Sequence, residues 1–248
     1  MRISHKLAKL RSGEAIASFR RHIAFIKRHH YFPIQLTASA IIRTIDRKQF
    51  EAIRARHSVE QPGEHFPKYL DLRRWMQINL RRAYAIDLAL ATPRRVLDLG
   101  CGAGYFLYVC KYLGHEVLGL DLDEVDMYRE LTELLRVPRV IARIDAFRPL
   151  PAFERPFDLI TAHLICFNGH KSDALWGARE WEFFFNDAAR HLTPRGEIHL
   201  SLNREDDGNF YPPELRAYFL QRGARLKGAE ISLSRAQLAP AATAPAAS

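Results

Sequence analysis

The run Val96-Leu97-Asp98-Leu99-Gly100-Cys101-Gly102-Ala103-Gly104-Tyr105-Phe106 limits the folds open to this chain more than any other stretch. Val96 to Leu99 reads as a short buried strand. Three glycines follow at alternate positions, and then an apolar run that suits a helix. Glycine lets backbone approach a ligand closely, and a helix start offers N–H groups without partners. Strand, glycine turn and helix together predict a cradle of the nucleotide-binding type.

The spelling of the turn narrows the ligand. The dinucleotide fingerprint G-x-G-x-x-G asks for Gly or Ala where Tyr105 stands. No G-x-x-x-x-G-K-[ST] occurs, which excludes a P-loop. The pattern is D-x-G-x-G-x-G, with Asp98 two residues before Gly100. It resembles motif I of the class I S-adenosylmethionine (SAM)-dependent methyltransferases, and the resemblance extends over about residues 90–205. It implies that Asp98 helps hold the methionyl end of SAM and that the backbone of Gly100, Cys101, Gly102 and Gly104 packs against the cofactor.

A second strand is expected over residues 116–120, ending at Asp121, 23 residues beyond Asp98. An acid at about that spacing sits at the next strand's end, where it accepts ribose hydroxyl protons. The resemblance further implies Leu122 against the adenine ring. It also places Asp145 and Ala146, after a third strand at 139–144, along the adenine edge. Phe157-Asp158-Leu159-Ile160 resembles the family's fourth-strand run, so Thr161 to His163 would face the transferred methyl. A turn at 192–196 and a strand at 197–202 are also family-like. A helix at 212–221 and a strand at 229–233 follow, leaving one of the family's two antiparallel edge strands missing or reduced.

Short apolar strands alternating with helices predict an α/β fold, a doubly wound and mostly parallel sheet. Asp98, Asp121, Asp145 and His163 all fall at C-terminal strand ends, where ligands bind in such sheets. The expected organisation is a basic helical extension at 1–62, a Rossmann-like methyltransferase domain at 63–238 and a disordered Ala/Pro/Ser tail at 239–248. Residues 68–90 form a long helical candidate ended by Thr92-Pro93, with Tyr69 either near SAM or simply packed.

Charge is unevenly placed. Residues 1–95 hold 20 Lys/Arg against 7 Asp/Glu, whereas residues 96–248 hold 17 against 21, so the whole net charge of +9 comes from the N-terminal part. Ile16, Phe19, Ile23 and Ile26 line one face of a helix over residues 14–28, with Arg20, Arg21, Lys27 and Arg28 off that line. Such a helix docks on an anionic membrane surface, grips nucleic acid, or packs its apolar face on the catalytic domain. Gln61-Pro62-Gly63 reads as the hinge that follows. Three cysteines without C-x-x-C spacing argue for a reducing compartment and against a zinc site. With no signal-peptide pattern at the start, the expected location is cytoplasmic, with the basic segment available to the inner membrane surface.

Methyl transfer is a displacement on the sulfonium methyl, and alignment is the protein's main contribution. A hydroxyl acceptor needs a general base, and His163 after the fourth strand is the candidate; its other role would be structural. His170 and Lys171 lie further along the same loop. The chain lacks the N-P-P-[YF] or D-P-P-[YF] pattern of adenine amino-methylation, and Ile165 precedes Cys166 where cytosine carbon methylation uses P-C. No metal-ligand set is seen. A hydroxyl-bearing small molecule, sugar or lipid-linked glycan is the favoured acceptor, with Trp176, Trp181 and Phe183 to Phe185 as candidate walls, although such aromatics are more often core. RNA methylation through the basic region and non-catalytic SAM binding are the alternatives.

Overall fold

The structure, a computed structural model, describes residues 36–58 and 66–238 together with the single position Ile23. The proposed helix at 14–28, the hinge at Gln61-Pro62-Gly63 and the tail from Ala239 lie outside the described residues, Ile23 apart.

Seven strands form one sheet in the order β3-β2-β1-β4-β5-β7-β6. They are β1 (Arg95–Leu99), β2 (Glu116–Asp121), β3 (Arg139–Ile141), β4 (Phe157–Ile165), β5 (Leu192–Leu202), β6 (Arg225–Lys227) and β7 (Glu230–Ser234). β1 pairs in parallel with β2 and β4, β2 with β3, and β4 with β5; β7 runs antiparallel to β5 and to β6. Both antiparallel edge strands are therefore present, β6 being reduced to three residues. β3 is also shorter than its apolar run predicts and stops at Ile141. The expected turn at 192–196 is absorbed into β5 as a register irregularity: Phe157 pairs with Leu192, whereas Leu159 already pairs with Glu197.

The helices are α1 (Ala38–Ile42), α2 (Arg47–His57), α3 (Leu72–Ala85), α4 (Tyr105–Tyr112), α5 (Asp126–Leu134), α6 (Ala178–Arg190), α7 (Pro213–Gln221) and α8 (Arg235–Leu238). The long helix expected at 68–90 is broken into three pieces. A 3₁₀ turn occupies Phe66–Leu70, Asp71 starts α3 by accepting a hydrogen bond from the Arg74 N–H at 3.0 Å, and Asp87 turns left-handed (φ 61) before a second 3₁₀ turn at Leu88–Leu90. An aspartate that satisfies a free helix N–H outcompetes continuation of the helix through it.

Side chains alternate across the strands and divide the core between two helix layers. Val96 and Leu159 pack with residues of α1 to α5, and Leu97, Leu99, Ile160 and Ala162 pack with residues of α6 to α8. Ala38, Ile41, Phe50 and Ile53 share the first cluster, so α1 and α2 rest on the same core as α3 to α5. Their basic surfaces stay outside: Arg47, Arg54 and Arg56 are all exposed.

The glycine turn is fixed by the strand beside it. The Gly100 N–H donates to the Leu120 carbonyl at 2.8 Å, and Cys101 folds back over β2. Gly119 makes room for it: a Cβ there would stand 2.5 Å from Cys101 Sγ and 3.1 Å from Leu107 Cδ1. Gly119→Ala is expected to destabilise the fold by about 1–3 kcal/mol through overpacking. Urea unfolding checks this, and Cys101→Ala in the same chain should recover part of the loss.

Candidate active site

The C-terminal ends of β3, β2, β1 and β4 open onto one cavity of about 510 Å³, within the range of small-molecule sites. It lies where the strand order reverses between β1 and β4, the usual ligand crevice of a doubly wound sheet. Asp98, Gly100, Cys101, Gly102, Asp121, Leu122 and His163 line it. The other predicted residues are placed differently. Gly104 caps α4 in the left-handed conformation (φ 72), behind the cavity wall. Thr161 is fully buried and bonds Asp98 instead. Asp145 and Ala146 do not line the cavity. Because β3 ends at Ile141, the wall at that end is made by Ala142, Arg143 and Ile144, and Asp145 bonds Arg148 at 3.2 Å instead.

Asp98 sits opposite Thr161 in the β1–β4 register, and Thr161 Oγ1 donates to its Oδ1 at 2.7 Å. Burial pushes the Asp98 carboxyl up to about 7, although the Thr161 hydroxyl and the Arg82 charge oppose the rise; Asp121 adds to it. Without a cation beside it, such a group is only partly ionised at neutral pH. Between its ordinary value and about 7 the folded chain binds more protons than the unfolded one, so this group lowers stability as pH rises through that window.

Asp121 ends β2 and accepts from the Leu122 N–H at 2.7 Å and from the Gly102 N–H. A carboxylate has about four lone-pair sites, so two remain for hydroxyl donors. Burial is the main cause raising its pKa, and the two backbone N–H groups and Arg139 oppose it.

His163 follows Asp98 and Thr161 onto the α3–α4 side of the sheet. Its ring lies edge-on to Phe106, with centroids 4.5 Å apart. Among the described residues its Nε2 is buried without a hydrogen-bond partner. Burial, with Arg82 and His199 nearby, holds the imidazole well below its ordinary value and therefore neutral at pH 7.

Beyond His163 the strand carries an irregularity with no sequence signal. The β4–β5 register slips between His163 and Ile165, and Leu164 adopts φ 55, rare for a side chain of this kind. Asn203 at the end of β5 holds the bulge by donating to the Leu164 and Ile165 carbonyls at 2.9 and 3.0 Å. The bulge turns Leu164, His163 and Cys166 together into the cavity wall.

Tyr69, Trp75, Asn79, Arg82 and Tyr128 also line the cavity. Tyr69 stacks on Trp75 with centroids 4.5 Å apart and meets Tyr128 edge-on at 5.4 Å. Trp75, Asn79 and Arg82 recur at helical spacing on α3, a signal the sequence carried beside the buried face of Leu72, Met76, Leu80 and Ala83. The expected acceptor walls lie elsewhere. Trp176, Trp181, Phe184 and Phe185 are buried in the opposite core, and Phe183 packs on Phe147 at 5.9 Å; only their neighbour Phe167 reaches the cavity. His170 is tied to Glu205 at 2.9 Å and Lys171 to Asp206 at 2.9 Å, both away from the cavity. Among the described residues no three His, Cys, Asp or Glu group as a metal site, and no helix is long and apolar enough to cross a membrane.

A glycine cradle, a buried acid at the end of β1 and a second at the end of β2 thus meet in one cavity. Residues 96–196 match the family model of a methyltransferase domain. Among solved structures it is similar to the CcbJ methyltransferase of Streptomyces caelestis, at 28% identity over 49% of this chain and 47% of that one, TM-score 0.39. It is similar also to CalS10 of Micromonospora echinaspora, a SAM-bound amino pentose methyltransferase, at 23% identity over 55% of each chain, TM-score 0.42. A third is DesVI of Streptomyces venezuelae, at 18% identity over 70% of this chain and 98% of that one, TM-score 0.45. The chain spans about half the length of the first two. No curated protein matches it.

The residues present fit SAM. A partly protonated carboxyl on the cavity wall is suited to an ammonium, and the space over Gly100 is open, a Cβ there meeting nothing within 4 Å. An ammonium placed beside Asp98 lowers its pKa, so binding at pH 7 should release about half a proton. Calorimetry of S-adenosylhomocysteine in buffers of different ionisation enthalpy measures that number. It should vanish in Asp98→Asn and for 5′-methylthioadenosine, which has no ammonium.

Proposed function

We propose that this domain moves the methyl group of SAM to a hydroxyl-bearing small molecule, sugar or lipid-linked glycan, with His163 taking the hydroxyl proton. A neutral imidazole on a cavity-lining residue, its Nε2 without a partner among the described residues, carries this proposal. When bound, SAM supplies the activated methyl. Asp98, Asp121, Leu122 and the glycine backbone would hold it, with Asp98 toward the amino-acid end and Asp121 toward the ribose. The chain's other task is to align the acceptor oxygen, which is worth up to on the order of 7–11 kcal/mol in well-oriented reactions. A hydroxyl is a poor nucleophile until its proton has somewhere to go, and an unpartnered ring nitrogen near the strand end provides that place.

Turnover on panels of alcohols, phenols, sugars and amines tests the proposal. Hydroxyl acceptors should react. His163→Ala should lower kcat by about 10²–10⁴-fold while SAM affinity stays within about twofold. Because His163 is held below its ordinary value of 6.5, it stays unprotonated at that pH, and the acid limb of kcat should fall below pH 6.5. Turnover confined to amines, or full activity in His163→Ala, would overturn the base role.

A further inference from the structure

We propose that Arg82, oriented by Asn79, is the carboxylate-reading group of this cavity, and that the carboxylate it reads belongs to the amino-acid end of the cofactor. The proposal rests on the assignment of the cavity to SAM. Arg82 lies on α3, outside the 96–196 segment that matches the methyltransferase family model.

Charge balance leads to it. An amino-acid end is a zwitterion, and Asp98 answers only its ammonium. Among the described residues lining the cavity, the arginines are Arg82 and Arg143, and there is no lysine. Arg143 belongs to the β3 end and already pairs with Glu124 at 2.5 Å. Arg82 is at the Asp98 end: each acts electrostatically on the other. Yet among the described residues no carboxylate lies in ion-pair contact with Arg82, and its hydrogen bond goes to a neutral amide, Nη1 donating to Asn79 Oδ1 at 3.0 Å. A guanidinium has five N–H donors in a rigid fork, and most of these remain to be used. Partial burial of that cation is costly until an anion arrives.

The group is also held in advance. Asn79 is 2% exposed, and its Nδ2 donates to the Trp75 carbonyl at 2.9 Å, which fixes the oxygen that Arg82 addresses. Trp75 is itself pinned by its Nε1 bond to the Lys68 carbonyl at 2.8 Å and by the stacked Tyr69 ring. A fork fixed on a rigid helix loses little entropy when a planar carboxylate docks. The competing role is structural: Arg82 is in the last turn of α3, where a cation favours the helix dipole. That role predicts a loss of stability and no selectivity between ligands.

Calorimetry with two probes separates the roles. S-adenosylhomocysteine has the amino-acid end, and 5′-methylthioadenosine keeps the adenosyl thioether without it. Arg82→Met should weaken S-adenosylhomocysteine by about 10- to 100-fold, the worth of charged hydrogen bonds, and leave 5′-methylthioadenosine within about twofold. Arg82→Lys, which keeps the charge without the fork, should fall between. Retained 5′-methylthioadenosine binding shows in the same experiment that the variant cavity is intact. Equal weakening of both ligands in Arg82→Met, or of neither, would overturn the proposal. If the unmodified chain bound 5′-methylthioadenosine as tightly as S-adenosylhomocysteine, the carboxylate subsite would fail while the adenosyl site stood. If it bound neither, the SAM assignment itself would fall and this proposal with it.

Discussion

The site is organised by a carboxyl group kept out of water at the end of the central strand. Asp98 is 3% exposed, and the hydrogen bond its side chain receives comes from Thr161 on the neighbouring strand. Fully paired with a fixed cation it would be a structural ion pair; fully exposed it would bind ligands weakly. It is neither, because Arg82 is close enough to lower its pKa yet is not in ion-pair contact. The buried acid and the half-buried guanidinium are thus complementary charges held apart, an arrangement that costs folding energy and favours a ligand carrying both signs.

The sheet imposes that separation. Parallel pairing puts Asp98 beside Thr161, and alternation sends Asp98, Thr161 and His163 to the same face of the sheet, under α3 and α4. Gly119 on β2 leaves the space into which Cys101 folds, and Asp121 at the end of β2 then accepts from the Gly102 N–H. The acid at the end of β2 is therefore built into the turn beside it.

What could be read from the residues alone follows the strength of local rules. Three glycines with φ of 70, 52 and 72 stand where the D-x-G-x-G-x-G spacing predicts a turn that other residues adopt poorly. The order of strands and helices was legible for the same reason, since apolar runs and turn residues alternate throughout. Leu164 is the opposite case. Nothing in a leucine announces a left-handed backbone, and its bulge depends on Asn203, 39 residues away. Asp145 shows that an acid after a strand is informative only if the strand's end is known: β3 stops at Ile141, and Ala142, Arg143 and Ile144 line the cavity there. The aromatic run around Trp181 could have walled a pocket, although such residues are more often core, and packing against Phe219 and Phe185 places it in the core.

The family match begins at Val96, yet part of the cavity is made by what precedes it. Tyr69, Trp75, Asn79 and Arg82 close the side of the site that β1 and β4 leave open. α3 is anchored through a core shared with α1, α2 and α4, so its polar edge is positioned by burial of Leu72, Met76, Leu80 and Ala83 rather than by the sheet. This division separates two functions physically. The cradle for an adenosyl group follows from strand order and glycine geometry, which many sequences can satisfy. The Asp98 end is finished by a helix whose residues are free to vary without disturbing those strands. Selectivity at that end should therefore reside in α3 and in the Leu164 bulge facing it, the two places where this chain departs from what its strand pattern dictates.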